Sequence, residues 1–305
     1  MISKVFIIAQ GGVLLYSKDF LARNEEEKDF DEDLISGFLT AISNFAQEIK
    51  GGGIQAMKFK NFNFIYSADE DCDCMFVAIT DIEDIEDEAR EKVELMKKQF
   101  IQKFESKIKN FTGCVNDFDR FDEFTEKHIY IPPKVLLVGE DRVGKTTIMN
   151  LFPGDTVLKL DEDLNEIIEK DIELPNLSSI KAARLREINL QELVENSKIY
   201  RGLLNSVDVI CIVTNSAASN LGRTKRLYKR LKKSVNKADF YIIANFQDLE
   251  QAAFEPNKIE ESFDLKTFEF SGIEKDAKEK FISILTEIIK VSVVDKIQGK
   301  YRSST

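Results

Sequence analysis

The chain has 305 residues, 43% of them hydrophobic and 10% aromatic, and carries a formal net charge of −11. That length allows two domains of ordinary size, each with its own apolar core, and the ordinary hydrophobic content gives no sign of a disordered or fibrous chain. The acidic balance argues against a general nucleic-acid binder, because phosphate contacts need basic surface.

The first elements read as an antiparallel hairpin. Two apolar runs, Lys4-Val-Phe-Ile-Ile-Ala9 and Val13-Leu-Leu-Tyr16, are split by Gln10-Gly-Gly12. Leu34, Phe38, Ile42, Phe45 and Ile49 then recur at helical spacing, which predicts a helix with that stripe turned to a core. Asp31 or Asp33 is a candidate N-cap, and Gly51-Gly-Gly53 ends the helix. Three strands are expected next, at Ile54 to Lys60, Phe62 to Ser67 and Cys74 to Thr80. Ala89, Val93, Met96, Phe100, Phe104, Ile108 and Phe111 mark a long amphipathic helix, followed by a short helical tail near Phe118 to His128. The acid-rich runs Asn24 to Glu27 and Asp81 to Glu88 read as solvated surface.

The order β-β-α-β-β-β-α implies one antiparallel sheet with helices packed on it. In order and size this half resembles the longin domain, an adaptor module of membrane-traffic proteins, over roughly residues 1–128. A roadblock-type module is the competing resemblance, although roadblock proteins usually begin with a helix. No active-site pattern is visible here.

Ile131-Pro-Pro133 marks a junction, since two prolines hold the chain extended and donate no ladder hydrogen bonds. The domains are therefore read as residues 1–130 and 131–305. Immediately after the prolines, the apolar run Lys134 to Val138 predicts a buried strand leading into Gly139-Glu-Asp-Arg-Val-Gly-Lys-Thr146. This octapeptide fits the phosphate-loop pattern G-x-x-x-x-G-K-[ST] at every position. Gly139 and Gly144 let the backbone through Asp141, Arg142 and Val143 curl round a polyphosphate. Lys145 can reach the terminal phosphates, and the Thr146 hydroxyl can hold Mg²⁺. Thr147 opens the helix that leaves the loop, expected to run to Phe152.

Strand-like runs then alternate with helices. Strands are expected at Ala183 to Ile188, Asp208 to Val213, Phe240 to Ala244 and Thr267 to Phe270. Helices are expected at Leu190 to Leu204, Leu221 to Val235 and Lys275 to Val291. Such interleaving implies a doubly wound, mainly parallel sheet, whose ligands bind at the carboxyl ends of the strands. Asn245-Phe-Gln-Asp248 and Glu269-Phe-Ser-Gly272 lie at two of those ends. The first resembles the N-K-x-D base-recognition motif of small GTPases, in which a carboxylate at Asp248 would accept the paired N1–H and 2-amino donors of guanine that adenine lacks.

Phosphate loop, N-x-x-D and E-x-S-G, in that order, resemble a Ras-superfamily small GTPase over residues 134–292. The resemblance implies GTP or GDP and Mg²⁺ as ligands. In it Asn245 braces two loops or contacts the base, and Phe246 stacks on the purine where the family has lysine. Ser271 and Gly272 would contact the guanine oxygen. The family's D-x-x-G-Q stretch is degenerate here: Asn189-Leu-Gln-Glu-Leu193 puts Asn189 in place of the aspartate and Glu192 in place of the glycine. Gln191 is the candidate water-positioning residue, and Thr156 the candidate switch threonine on the metal.

The resemblance thus implies a guanine-nucleotide-binding regulatory protein in trafficking or signalling, with slow hydrolysis. The alternative is a pseudo-GTPase scaffold holding nucleotide structurally. The longin-like half could cover the switch surface, bind a protein partner or mediate homodimerisation. Arg223 to Lys233 is strongly basic and reads as a helix with Leu227 and Leu231 inward. It reads either as a solvated face or as a docking surface for anionic lipid headgroups or an acidic partner. Cys72, Cys74, Cys114 and Cys211 show no disulfide or zinc spacing, which suits a reduced, cytoplasmic protein. No apolar run is long enough to span a bilayer, and no signal peptide, myristoylation glycine or prenylation cysteine is recognised, so membrane contact is expected to come from a surface or a partner.

Overall fold

The structure is a computed structural model that describes residues 2–20, 32–49, 54–60, 62–81, 86–111, 113–154, 157–160, 163–175, 177, 180–235, 237–249 and 252–296. The chain divides into two compact units, Met1–Ile131 and Pro132–Thr305, which part between Ile131 and the two prolines.

In the first unit, β1 (Ile2–Ala9) and β2 (Val13–Asp19) pair antiparallel across the 3-10 turn Gln10–Gly12. Gly11 and Gly12 both take positive φ in that turn, a conformation that suits glycine. After α1 (Glu32–Glu48) come β3 (Ala56–Lys58), β4 (Phe62–Asp69) and β5 (Cys74–Asp81), then α2 (Glu86–Lys109). The helical tail is composite, with α3 (Asp122–Phe124) between a 3-10 stretch, Val115–Phe121, and a π turn, Thr125–Ile129. The five strands form one antiparallel sheet in the order β2-β1-β5-β4-β3.

Strand alternation sends Val5, Ile7, Phe76 and Ala78 to one face of this sheet. There they meet Val93, Met96, Phe100 and Phe104 of α2, with Phe118 and Phe121 of the tail. Phe6, Ile8, Val77 and Ile79 face the other way, against Leu39 of α1. The stripe expected to face this core does not. Leu34, Phe38, Phe45 and Ile49 are exposed, Leu34 at 71% and Ile49 at 61%. The helix carries apolar residues on two adjoining stripes, and the sheet takes the Ile35–Leu39 side, one position further round. The expected N-cap Asp31, the glycines Gly51 to Gly53 and the acidic run Asn24 to Glu27 lie outside the described residues.

The second unit opens with β6 (Lys134–Gly139) and α4 (Lys145–Asn150). Two strands that the sequence reading lacked follow, β7 (Val157–Leu160) and β8 (Glu166–Glu173). Next come β9 (Ala182–Asn189), α5 (Leu190–Glu195), α6 (Arg201–Ser206) and β10 (Val209–Thr214). α7 (Ala218–Leu231), β11 (Asp239–Ala244), α8 (Pro256–Phe263), β12 (Thr267–Glu269) and α9 (Ala277–Ile289) complete it. Where one helix was expected from Leu190 to Leu204, α5 ends at Glu195 with Asn196 as its C-cap, and α6 starts afresh. α8 was also unanticipated, although it begins with proline at its first turn, a conformation proline favours.

The sheet order is β12-β11-β10-β6-β9-β8-β7. β12, β11, β10, β6 and β9 run parallel, while β8 pairs antiparallel with β9, and β7 in turn antiparallel with β8. Every residue of β6 and β10 is buried, as expected for central strands covered on both faces. The Lys170 ammonium of β8 donates to the carbonyls of Met149 and Phe152 at the end of α4, where the helix dipole favours a cation.

Candidate functional site

The loop between β6 and α4 is shaped by its glycines. A side chain at Gly139 would put its Cβ 2.6 Å from the Val213 carbonyl oxygen of β10, too close to be accommodated. Gly144 has φ +98°, and its Cβ would fall 2.2 Å from Nδ2 of Asn245. Arg142 also takes positive φ, at 60°, so the chain curls twice before α4 begins. No side chain caps α4 at Gly144.

Lys145 is buried and folds back over the loop, donating at 2.9 Å to the carbonyls of both Gly139 and Glu140. Burial pushes its ammonium below the ordinary lysine range, against the opposing pull of Glu187 and Asp141. Thr146 is exposed and donates its hydroxyl to Oε1 of Glu187 at 2.9 Å. The other oxygen of that carboxylate, Oε2, is buried and has no hydrogen-bond partner.

Asn245 closes the loop from the β11 side. Its Nδ2 donates to the Val143 carbonyl at 3.0 Å, and its Oδ1 accepts from the Gly272 amide at 3.1 Å. One buried amide thereby joins the phosphate-loop segment, the end of β11 and the loop after β12. Phe246, with φ +65°, lies beside the loop: its ring Cε2 is 3.7 Å from where a Gly144 Cβ would stand. Asp248 is exposed, and Ser271 donates to its Oδ1 at 2.7 Å, fixing one carboxylate oxygen. Gly272 packs close to Thr147, whose methyl would sit 3.2 Å from a Cβ added there. Gly139 to Thr147, Asn245 to Asp248, and Ser271 with Gly272 therefore share one end of the sheet.

The stretch after β9 is a capped helix. Asn189 Oδ1 accepts from the amides of Gln191 and Glu192, and its Nδ2 donates to Asp141 at 2.7 Å. Gln191 donates to Glu195 at 2.8 Å and accepts from Arg223 of α7. Glu192 accepts from the Tyr200 hydroxyl at 2.6 Å. Arg223 and Asn220 of α7 also hold Glu140 of the loop, at 2.6 and 3.0 Å. Thr156 lies outside the described residues.

Glu187, Glu140 and Asn220 were not singled out from the sequence, and Arg223 was read only as the start of the basic run. Glu187 had a signal. Along β9, Ala183 and Leu185 are buried on one side, and the next position on that side, at the carboxyl end, carries an acid. No protein-family model matches the chain, and no curated protein matches it.

Proposed function

We propose that this chain is a guanine-nucleotide-binding regulatory protein, in which a longin-like adaptor unit precedes a small-GTPase-like unit. The observation that carries the reading is Asn245, which braces the phosphate-loop carbonyl of Val143 against the Gly272 amide. That brace sets Phe246 and Asp248 beside a loop built for phosphates. Asp248, with one oxygen held by Ser271, keeps a carboxylate edge for the guanine donors. Lys145 would exchange its two carbonyl partners for phosphate oxygens.

Magnesium in such sites takes one or two protein oxygens and completes its shell with phosphates and water, and when bound it neutralises phosphate charge. Among the described residues no three His, Cys, Asp or Glu side chains converge on a metal site. The Thr146 hydroxyl beside a carboxylate with an unpartnered oxygen fits the smaller requirement. Hydrolysis should be slow, because both ends of the Gln191 side chain are engaged, by Glu195 and Arg223, away from any water-positioning task.

Replacing Asp248 with alanine tests the base reading. The preference for GTP over ATP in competition binding should fall at least about tenfold, the cost of roughly one charge-assisted hydrogen bond. An unchanged preference would remove Asp248 from the base site. A second reading, a scaffold that does not switch, draws on the capped α5 and its ties to Asp141, Tyr200 and Arg223. GDP and GTP affinities equal within about twofold would favour it, since a ligand shifts an equilibrium only by its differential affinity.

A further inference from the structure

The nucleotide reading leaves open which carboxylate supports the metal. In the pattern this chain resembles, an acid stands at position 189, and here Asn189 has its side chain committed: Oδ1 caps α5 and Nδ2 binds Asp141. Glu187 lies two residues earlier on the same side of β9, paired in register with Leu137 of β6. Its Oε1 is 2.9 Å from the Thr146 hydroxyl, and its Oε2 is buried without a donor. A buried carboxylate oxygen lacking a partner is costly, and a divalent cation beside it would remove that cost. Lys145 does not supply the missing partner, because its ammonium is turned to the carbonyls of Gly139 and Glu140.

We infer that Glu187, and not the residue at position 189, is the carboxylate that supports Mg²⁺ at the phosphate loop, acting with the Thr146 hydroxyl. This assignment rests on the nucleotide-binding reading. It accounts for the acid at a strand position whose preceding neighbours on that side are apolar, and for the freedom of position 189 to become a helix cap. It also makes nucleotide affinity strongly Mg²⁺-dependent, because without the cation a carboxylate faces the phosphates.

The test is calorimetric titration of GDP into the full chain, in EDTA and in Mg²⁺, for the unaltered protein and Glu187→Gln. The unaltered protein should gain affinity with Mg²⁺, and the variant should lose about 10- to 100-fold of that gain. In EDTA the variant should bind GDP at least as tightly, since a negative charge near the phosphates has gone. An equal Mg²⁺ gain in both proteins would overturn the assignment, as would an equal loss of affinity in both conditions, which marks a structural role. Should Glu187→Gln fail to fold, Glu187→Asp keeps the charge and shortens the reach. A reduced Mg²⁺ gain in it supports the assignment, and an unchanged gain overturns it. GDP that binds with no change in Mg²⁺ dependence defeats only the Glu187 assignment, whereas no GDP binding to the unaltered chain in either condition defeats the nucleotide reading with it.

Discussion

Asn245 holds three segments with one residue: its amide group serves Val143 and Gly272, and its backbone N–H donates to the Thr214 carbonyl. Alanine there would leave the buried Val143 carbonyl and the part-buried Gly272 amide without their partner. The expected loss is roughly 1–3 kcal/mol of stability, read as a lower urea midpoint. A midpoint unchanged within error would mean that water replaces the brace. Gly144 answers to the same contact, since its positive φ and the 2.2 Å clash with Asn245 leave no room for a side chain. Gly144→Ala should therefore lower the urea midpoint as well, through the same displaced amide. Asn245 and the loop glycines stood out in the sequence because a tight loop braced from the end of β11 needs those residue types at fixed spacing. Glu187 was harder to read, because a glutamate between Arg186 and Ile188 looks like surface until the parity of the buried Ala183 and Leu185 is extended to it.

Among the elements, α5 is the one whose behaviour would decide between the proposed switch and the scaffold reading. Its first turn is capped by Asn189, and its side chains reach Tyr200 and, across to α7, Arg223. Asn189→Ala should cost about 1 kcal/mol at that helix end. Amide exchange in Leu190–Glu195 should quicken while exchange in the central strands does not. Unchanged protection there would mean the tertiary contacts alone hold the helix. In α7, Leu227 and Leu231 are buried as expected, and Arg226, Lys229, Arg230, Lys232 and Lys233 form an exposed basic face running into the turn that follows. Anionic membranes attract such residues by about 1 kcal/mol each near the surface. Reversing charge at Lys229 and Arg230 should abolish co-sedimentation with phosphatidylserine vesicles; unchanged sedimentation would make this a solvated face. Central strands were legible as unbroken apolar runs. β7 and β8 were not, because the charged run Glu169-Lys-Asp171 and the adjacent pair Ile167-Ile168 break the alternation expected of a strand, and the partly apolar edge strand Val157–Leu160 is only four residues long.

At the scale of the whole molecule, an antiparallel five-stranded sheet and a mixed seven-stranded sheet each carry their own core, and the chain passes between them beside Pro132 and Pro133. No helix among the described residues is long and apolar enough to cross a membrane. The sequence reading reached the coarse α/β division because prolines, glycines and apolar runs act locally, but it expected a mainly parallel second sheet where the observed one is mixed and two strands wider. It missed which stripe of α1 is buried, because that choice belongs to the sheet and not to the helix. The proposed function and the Glu187 assignment both depend on the second unit taking up guanine nucleotide. Titration calorimetry in Mg²⁺, with GTP, GDP and ATP against the unaltered chain and Lys145→Ala, tests that directly. The account predicts guanine nucleotides bound more tightly than ATP, with that binding lost in Lys145→Ala. Equal binding of ATP, or no nucleotide bound at all, would contradict it.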